Sequence, residues 1–223
     1  MRDWWGILHD PATLGPLGLT LRVLLLSGAL LLAAGVLLGY YLSRERKTLL
    51  RTVVDFLVTL PLVFPPIATG FVLLLLLGRS GPLGRLTGAE IVFSVPGVVL
   101  AAFVAGLPLV VKPVESALHG TKRLAEAAYV LGKSEWGAYW LVQLPNIRRD
   151  LAAGWFLALG RSLGEVGITL MLGGNILGKT NTLSLEIYNA VFSGEFDRAV
   201  LLSCLIGLFS LVIFFVLKRL SAV

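Results

Sequence analysis

The chain has 223 residues, 57% hydrophobic and only 14% charged, with a mean hydropathy of +0.87 and a formal net charge of +6. That balance lies outside the range of soluble domains, and the apolar residues gather in long runs, the pattern of a polytopic membrane protein. One cysteine, Cys204, excludes a disulfide framework and a thiolate metal site, and the basic excess sits between apolar runs, which accounts for it without nucleic acid.

In chain order, MRDWWGILHDP lacks the basic-then-apolar layout of a cleaved signal peptide, and Trp4, Trp5 and Ile7 suit an interfacial anchor. A first span is expected over residues 17–42 and a second over 49–78. The second contains PLVFPP, whose prolines remove backbone donors and must bend or break the helix. Irregular backbone at that depth is either buried as a static kink or lines a cavity. Pro61, Pro65, Pro66 and Thr69 are therefore candidates for a pathway wall. A third span is expected over 91–111.

Residues 112–150 form the longest polar connection, centred on LAEAAYVLGKSEWGAYWLVQLP. Leu124, Ala127, Ala128 and Leu131 recur at helical spacing. Gly132 permits a sharp turn, Ser134 can cap a second short helix carrying Trp136, Tyr139 and Trp140, and Pro145 is expected to stop it. Two short helices meeting at a glycine make either a re-entry elbow under the bundle or a docking surface for a partner. Glu126 is either a partner contact or a solvated side chain.

A fourth span is expected over 151–172. It carries Arg161 and Glu165 four residues apart, a mutually satisfied pair or a pathway position. Ser162 and Thr169 would be further donors along such a path, whereas Glu165 would repel an anion. Gly160, Gly164 and Gly167, like Gly35 and Gly39, offer small faces for close helix packing. GGNILGKT, residues 173–180, fits the phosphate-cradling G-x-x-x-x-G-K-[ST] pattern, but it follows an apolar helix and not a strand. It is read as a glycine-rich turn. A short amphipathic helix over 183–192 lies on or dips into the membrane, and a last span is expected over 199–217.

Twelve Lys and Arg fall in one set of connections, six in the other, and Arg161 within a span. The richer set is cytoplasmic, so the N-terminus is outside and the C-terminus inside. His9 and His119 are isolated, so no metal site is assigned, and no nucleophile–base constellation appears.

Glu126-Ala127-Ala128, three residues, Gly132, nine residues, then Val142-Gln143-Leu144-Pro145 resembles the EAA loop of ABC-importer permeases, with Val142 where the family's usual Ile stands. LPLVFPPIATGFVLLLLLGRSGPLG, VPGVVLAAFVAGLPLVVKPVESAL and LALGRSLGEVGITLMLGGNI are similar to the molybdate-permease branch, to which tungstate and sulfate permeases are related. The resemblance implies an all-α type I importer permease of about five transmembrane helices, one permease domain over 1–223, with residues 112–150 as its cytoplasmic coupling loop. It implies Glu126, Ala127, Ala128, Gly132, Leu144 and Pro145 as coupling residues. Pro65, Pro66, Thr69, Arg161, Ser162 and Glu165 are the candidates for pathway or gate. Implied partners are two cytoplasmic ABC ATPases, an extracytoplasmic binding protein, a second copy of the chain and the bilayer. ATP and Mg²⁺ would sit on the ATPase, leaving this chain without a cofactor. A membrane-embedded enzyme would need further polar residues in the spans, and a secondary carrier an internal inverted repeat.

Overall fold

The computed structural model describes residues 4–44, 48–88 and 90–221, and every regular element among them is helical. The Trp4 and Trp5 side chains invoked as an anchor, and Arg2, Arg46 and Lys47 from the charge comparison, lie outside what is described. After a short α1 (Trp4–His9), α2 runs from Pro11–Ser43, longer than expected. Asp10 caps it by accepting the Ala12 amide at 2.9 Å, and Pro11 takes the first helical position, where no donor is needed. Arg22, counted with the outer-side charges although it falls within the first expected span, is inside this helix.

The expected second span is two helices, α3 (Leu49–Val63) and α4 (Pro66–Leu77), parted at Phe64 and Pro65. Phe64 closes α3 onto the Leu60 carbonyl, and Pro66 restarts at a first helical position. The apolar stretch long enough to cross is residues 66–86, reaching into α5 (Pro82–Thr87).

The third span, α6 (Val95–Gly120), continues nine residues past its expected end. Lys112 does not open a loop, because it is neutralised in place by Glu115 at 2.8 Å and by Asp55 of α3. The cytoplasmic segment is correspondingly shorter than 112–150. It holds α7 (Lys122–Val130), α8 (Glu135–Ala138), a π turn (Tyr139–Gln143) and α9 (Leu144–Asn146).

The fourth expected span is broken into α10 (Arg148–Leu163) and α11 (Gly167–Gly173), bent by 64°. Then come α12 (Leu183–Phe192) and α13 (Phe196–Ser221). Among the described residues four helices, or five counting the bent pair, have the length and apolarity of a span.

The core is built around α6. A Cβ on Gly35 would stand 2.6 Å from Val110 Cγ2, and one on Gly39 2.5 Å from Val114 Cγ1, so α2 lies on α6 at a distance only glycine allows. Gly154 brings α10 equally close, a Cβ there falling 2.9 Å from the Leu109 carbonyl. The Gly160, Gly164, Gly167 series does not act as one face. Gly167 packs on Pro66, Gly160 reaches only Ile213, and Gly164 faces open space at the helix break.

The segment after α11 enters the bundle and α12 leads out again. The Leu183 amide donates to Thr20 Oγ1, inside α2, at 2.8 Å and Ser184 Oγ to the Leu163 carbonyl, at the end of α10, at 2.6 Å. At the far end of this hairpin Arg198 returns to Asp10, at the start of α2. The start of the 183–192 helix is therefore packed into the bundle.

Candidate functional site: a clamped coupling segment beneath two broken spans

Ala125 and Ala128 face inward from α7, while Leu124, Ala127 and Leu131 of the expected apolar side are exposed together with Glu126. Gly132, at φ +79°, turns the chain between α7 and α8, and Ser134 caps α8 by accepting the Gly137 amide at 3.1 Å. Pro145 does not stop the second helix. A five-residue π turn precedes it, in which Leu144 N donates to the Tyr139 carbonyl, and helix continues to Asn146. The wider turn accommodates the proline ring that an α-turn would reject.

Side chains from this segment lock it to two spans. Tyr139 is fully buried and its hydroxyl donates to the Val36 carbonyl of α2 at 2.6 Å. Burial, reinforced by the neighbouring Tyr40, pushes the Tyr139 phenol up to about 12, so it remains a donor throughout the physiological range. Gln143 Nε2 reaches Thr121 Oγ1 at the end of α6 at 3.2 Å. Glu135 pairs with Arg44 after α2, and Tyr40, Trp136 and Tyr139 stack around them, with Tyr40 and Tyr139 4.3 Å apart. The outward side is apolar: Val130 is 87% exposed, Leu131 81% and Leu141 64%. An apolar patch beyond the spans is the mark of a protein contact.

Above the segment, Arg51 of α3 closes the end of α2, donating to the Leu42 carbonyl through Nε at 3.0 Å and Nη2 at 2.6 Å, and approaches Glu115 at 3.3 Å. With Lys112 and Asp55 this makes a four-charge lattice between α3 and α6. Sequence reasoning missed Asp55 and Glu115, although an aspartate inside an apolar run and an i,i+3 Lys–Glu pair were the available signals.

The two breaks lie against each other. A Cβ on Gly167 would be 3.0 Å from both Ile67 N and Pro66 Cβ, and one on Gly70 2.9 Å from Ile168 Cα. Pro65, Pro66, Thr69, Arg161, Ser162 and Glu165 are thus near one junction, but in unequal roles. Glu165 takes Arg161 on one oxygen at 2.6 Å and accepts the Ile168 amide on the other at 2.8 Å, which pairs the charge and caps α11. Ser162 donates to the Ala102 carbonyl at 2.7 Å, Thr69 to the Pro65 carbonyl at 3.2 Å, and Thr169 is buried. Ser162, Thr69 and Glu165 are engaged in hydrogen bonds and Thr169 is buried, while Pro65, Pro66 and the Glu165-paired Arg161 are at least partly exposed.

GGNILGKT does not form a phosphate loop. Helix α11 precedes it, and Thr180 is turned inside, donating to the Gly173 carbonyl at 2.6 Å and accepting the Ile176 amide at 2.9 Å. The amides of Lys179, Thr180 and Asn181 all close on the Ile176 carbonyl. Those donors and that hydroxyl are what a nucleotide and its Mg²⁺ would require.

A bundle of broken spans with a tightly attached, outwardly apolar loop has the architecture of a membrane transport subunit. The chain belongs to the family of binding-protein-dependent transport system inner membrane components, whose pattern matches residues 33–222. It is 34% identical to the molybdenum transport system permease protein ModB of Azotobacter vinelandii, over 94% of this chain and 93% of that one. It is also 34% identical to the sulfate transport system permease protein CysW of a Synechocystis strain, over 85% and 71% respectively. Its fold matches a chain of a bacterial alginate ABC transporter crystallised with a pentasaccharide-bound periplasmic protein, with a TM-score of 0.80, 18% identity, and coverage of 99% of this chain and 82% of that one.

Proposed function

We propose that the chain is the permease subunit of an ATP-driven oxyanion importer, with molybdate as cargo. Two copies enclose a path at their shared axis, two cytoplasmic ATPases seat the loop between α6 and α10, and an extracytoplasmic binding protein delivers the anion. Closing of the ATPases displaces the loop. Its ties to α2 through Tyr139 and to α6 through Gln143 carry that displacement into the spans. The junction of the two breaks is where the spans can bend in response, switching access from one side to the other.

The observation that carries this reading is the combination of a loop clamped on its inner side and apolar on its outer side. A surface elbow needs only the first property. Glu126, Ala127 and Gly132 sit at the docking edge, Ala128 is the inward anchor, and Leu144 and Pro145 follow the π turn. Molybdate is favoured by the ModB relative that matches nearly end to end. Sulfate is the second reading, favoured by the CysW relative.

The deciding experiment is ATP hydrolysis by the reconstituted complex with its binding protein, comparing molybdate, tungstate and sulfate. Stimulation by molybdate and not by sulfate is expected. Equal stimulation by sulfate would overturn the molybdate assignment.

A further inference from the structure

Arg22 and the GGNILGKT turn have no part in coupling, yet they meet at one cavity. Arg22 lies eleven residues into α2, about 16 Å along the helix at 1.5 Å per residue. Charges inside a span find a partner, a bundle interior or water. Among the described residues Arg22 makes no hydrogen bond or ion pair, and its side chain borders a cavity of about 520 Å³ with Gly178, Lys179 and Asn181. No carboxylate lines that cavity. A second cavity, of about 420 Å³, shares Lys179 and adds Arg79 with its partner Glu90.

The glycines around the cavity face open space. A Cβ on Gly15, Gly18 or Gly178 would meet nothing within 4 Å. Gly178 has φ +73°, and among the described residues neither its amide nor that of Leu177 is hydrogen-bonded. Asn181 is buried and gives its amide to Glu186 at 2.5 Å, while its Oδ1 has no partner.

We propose that this cavity receives a tetrahedral oxyanion at the outer entrance of the bundle. Arg22 supplies a planar fork of donors, Lys179 a point charge and Gly178 a backbone donor, which together suit a dianion of sulfate-like shape. The Asn181 carbonyl accepts from a water that bridges to the anion. Leu19 and Arg22 of the cavity wall flank Thr20 on α2, which takes the Leu183 amide. Two solvent-facing cations hold such an ion weakly, as a transit position requires. The proposal rests on the oxyanion permease reading above. A phospholipid phosphate has the same chemistry, and the experiment separates the two sources.

The test uses the purified permease–ATPase complex in phosphate-free maltoside, without binding protein, dialysed against tungstate with the bound metal counted. Tungstate that sulfate displaces is expected, weakened about tenfold by R22Q or K179Q and less by R22K, which keeps the charge but not the fork. Native mass spectrometry of the same samples reads retained phospholipid. Phospholipid that R22Q loses, in place of tungstate, assigns the cavity's anion to a lipid headgroup. Tungstate and phospholipid both indifferent to R22Q and K179Q overturn the proposal. Co-purification of each variant with the ATPase reports its folding. Molybdate uptake by vesicles of the wild-type complex with its binding protein distinguishes the two failures. Intact uptake with no anion at Arg22 removes the cavity alone, and an occupied cavity without oxyanion uptake removes the permease reading alone.

Discussion

At Gly39 a single hydrogen decides how two spans pack. The Cβ of an alanine would stand 2.5 Å from Val114 Cγ1 and 2.9 Å from its Cβ, and the neighbouring helix backbone leaves the valine little room to retreat. G39A should therefore cost about 1–3 kcal/mol, as overpacking of a filled interior does. V114A in the same chain should recover part of that loss, because the two sites share one contact. Thermal unfolding of the four combinations in detergent measures the coupling, and additive losses would show that α2 and α6 do not touch there. Glu165 poses a different question. It serves Arg161 and the Ile168 amide at once, so E165Q keeps an acceptor for the amide while stranding the guanidinium. The R161Q/E165Q pair should be more stable than E165Q alone, and the same melting assay tells whether the pair is structural first.

Among the elements, the loop between α6 and α10 is where local chemistry becomes leverage. Tyr139 holds it to α2 through one hydroxyl, donating to a carbonyl already inside a helix. Y139F removes that bond and little volume, a loss of about 1 kcal/mol, or roughly a fivefold shift between clamped and loose loop. The expected result is an unchanged yield of assembled complex with fewer oxyanions imported per ATP, read by uptake and phosphate release from the same vesicles. Equal stoichiometry would mean that the clamp is mere packing. G132A has a backbone cause instead. At φ +79° a side chain costs about 1–2 kcal/mol, which should re-angle α8 and weaken ATPase co-purification.

This loop also shows how far sequence reaches. Its two helices, the Gly132 turn and the Ser134 cap were legible because each depends on near neighbours. The π turn was not, because it reconciles Pro145 with a helix that tertiary packing of Tyr139 and Gln143 keeps going. Which way the apolar side faces stayed open in the sequence for the same reason: spacing marks a helix side as apolar but cannot tell whether Leu131 meets the bundle or a partner. Lys112 was read as the start of a loop because its counter-charge, Asp55, is 57 positions away. The breaks were half legible. PLVFPP announced one, whereas Gly164 gave no warning of the 64° bend at which Glu165 caps a new helix.

For the whole molecule, orientation follows from where the basic residues stand once the helices are drawn. Arg44, Arg51, Lys122, Arg123, Lys133, Arg148, Arg149, Lys218 and Arg219 gather at the end that carries the coupling loop, and fewer lie at the end that holds Lys179. Under the positive-inside rule the first end is the cytoplasmic one, and the proposed ATPase then lies across the bilayer from GGNILGKT. K179A should leave nucleotide binding by the assembled complex unchanged, and its loss would invert the topology. A direct measurement is available because the native thiol is single. With Cys204 replaced by serine, L177C and L131C each place one exposed cysteine, at positions 73% and 81% accessible, on opposite ends of the bundle. A membrane-impermeant maleimide added to intact cells should label L177C and leave L131C unlabelled. After opening, the bound ATPase should still shield L131C, and stripping it should restore labelling. The reverse pattern would place the apolar loop outside, where no ATPase could drive it.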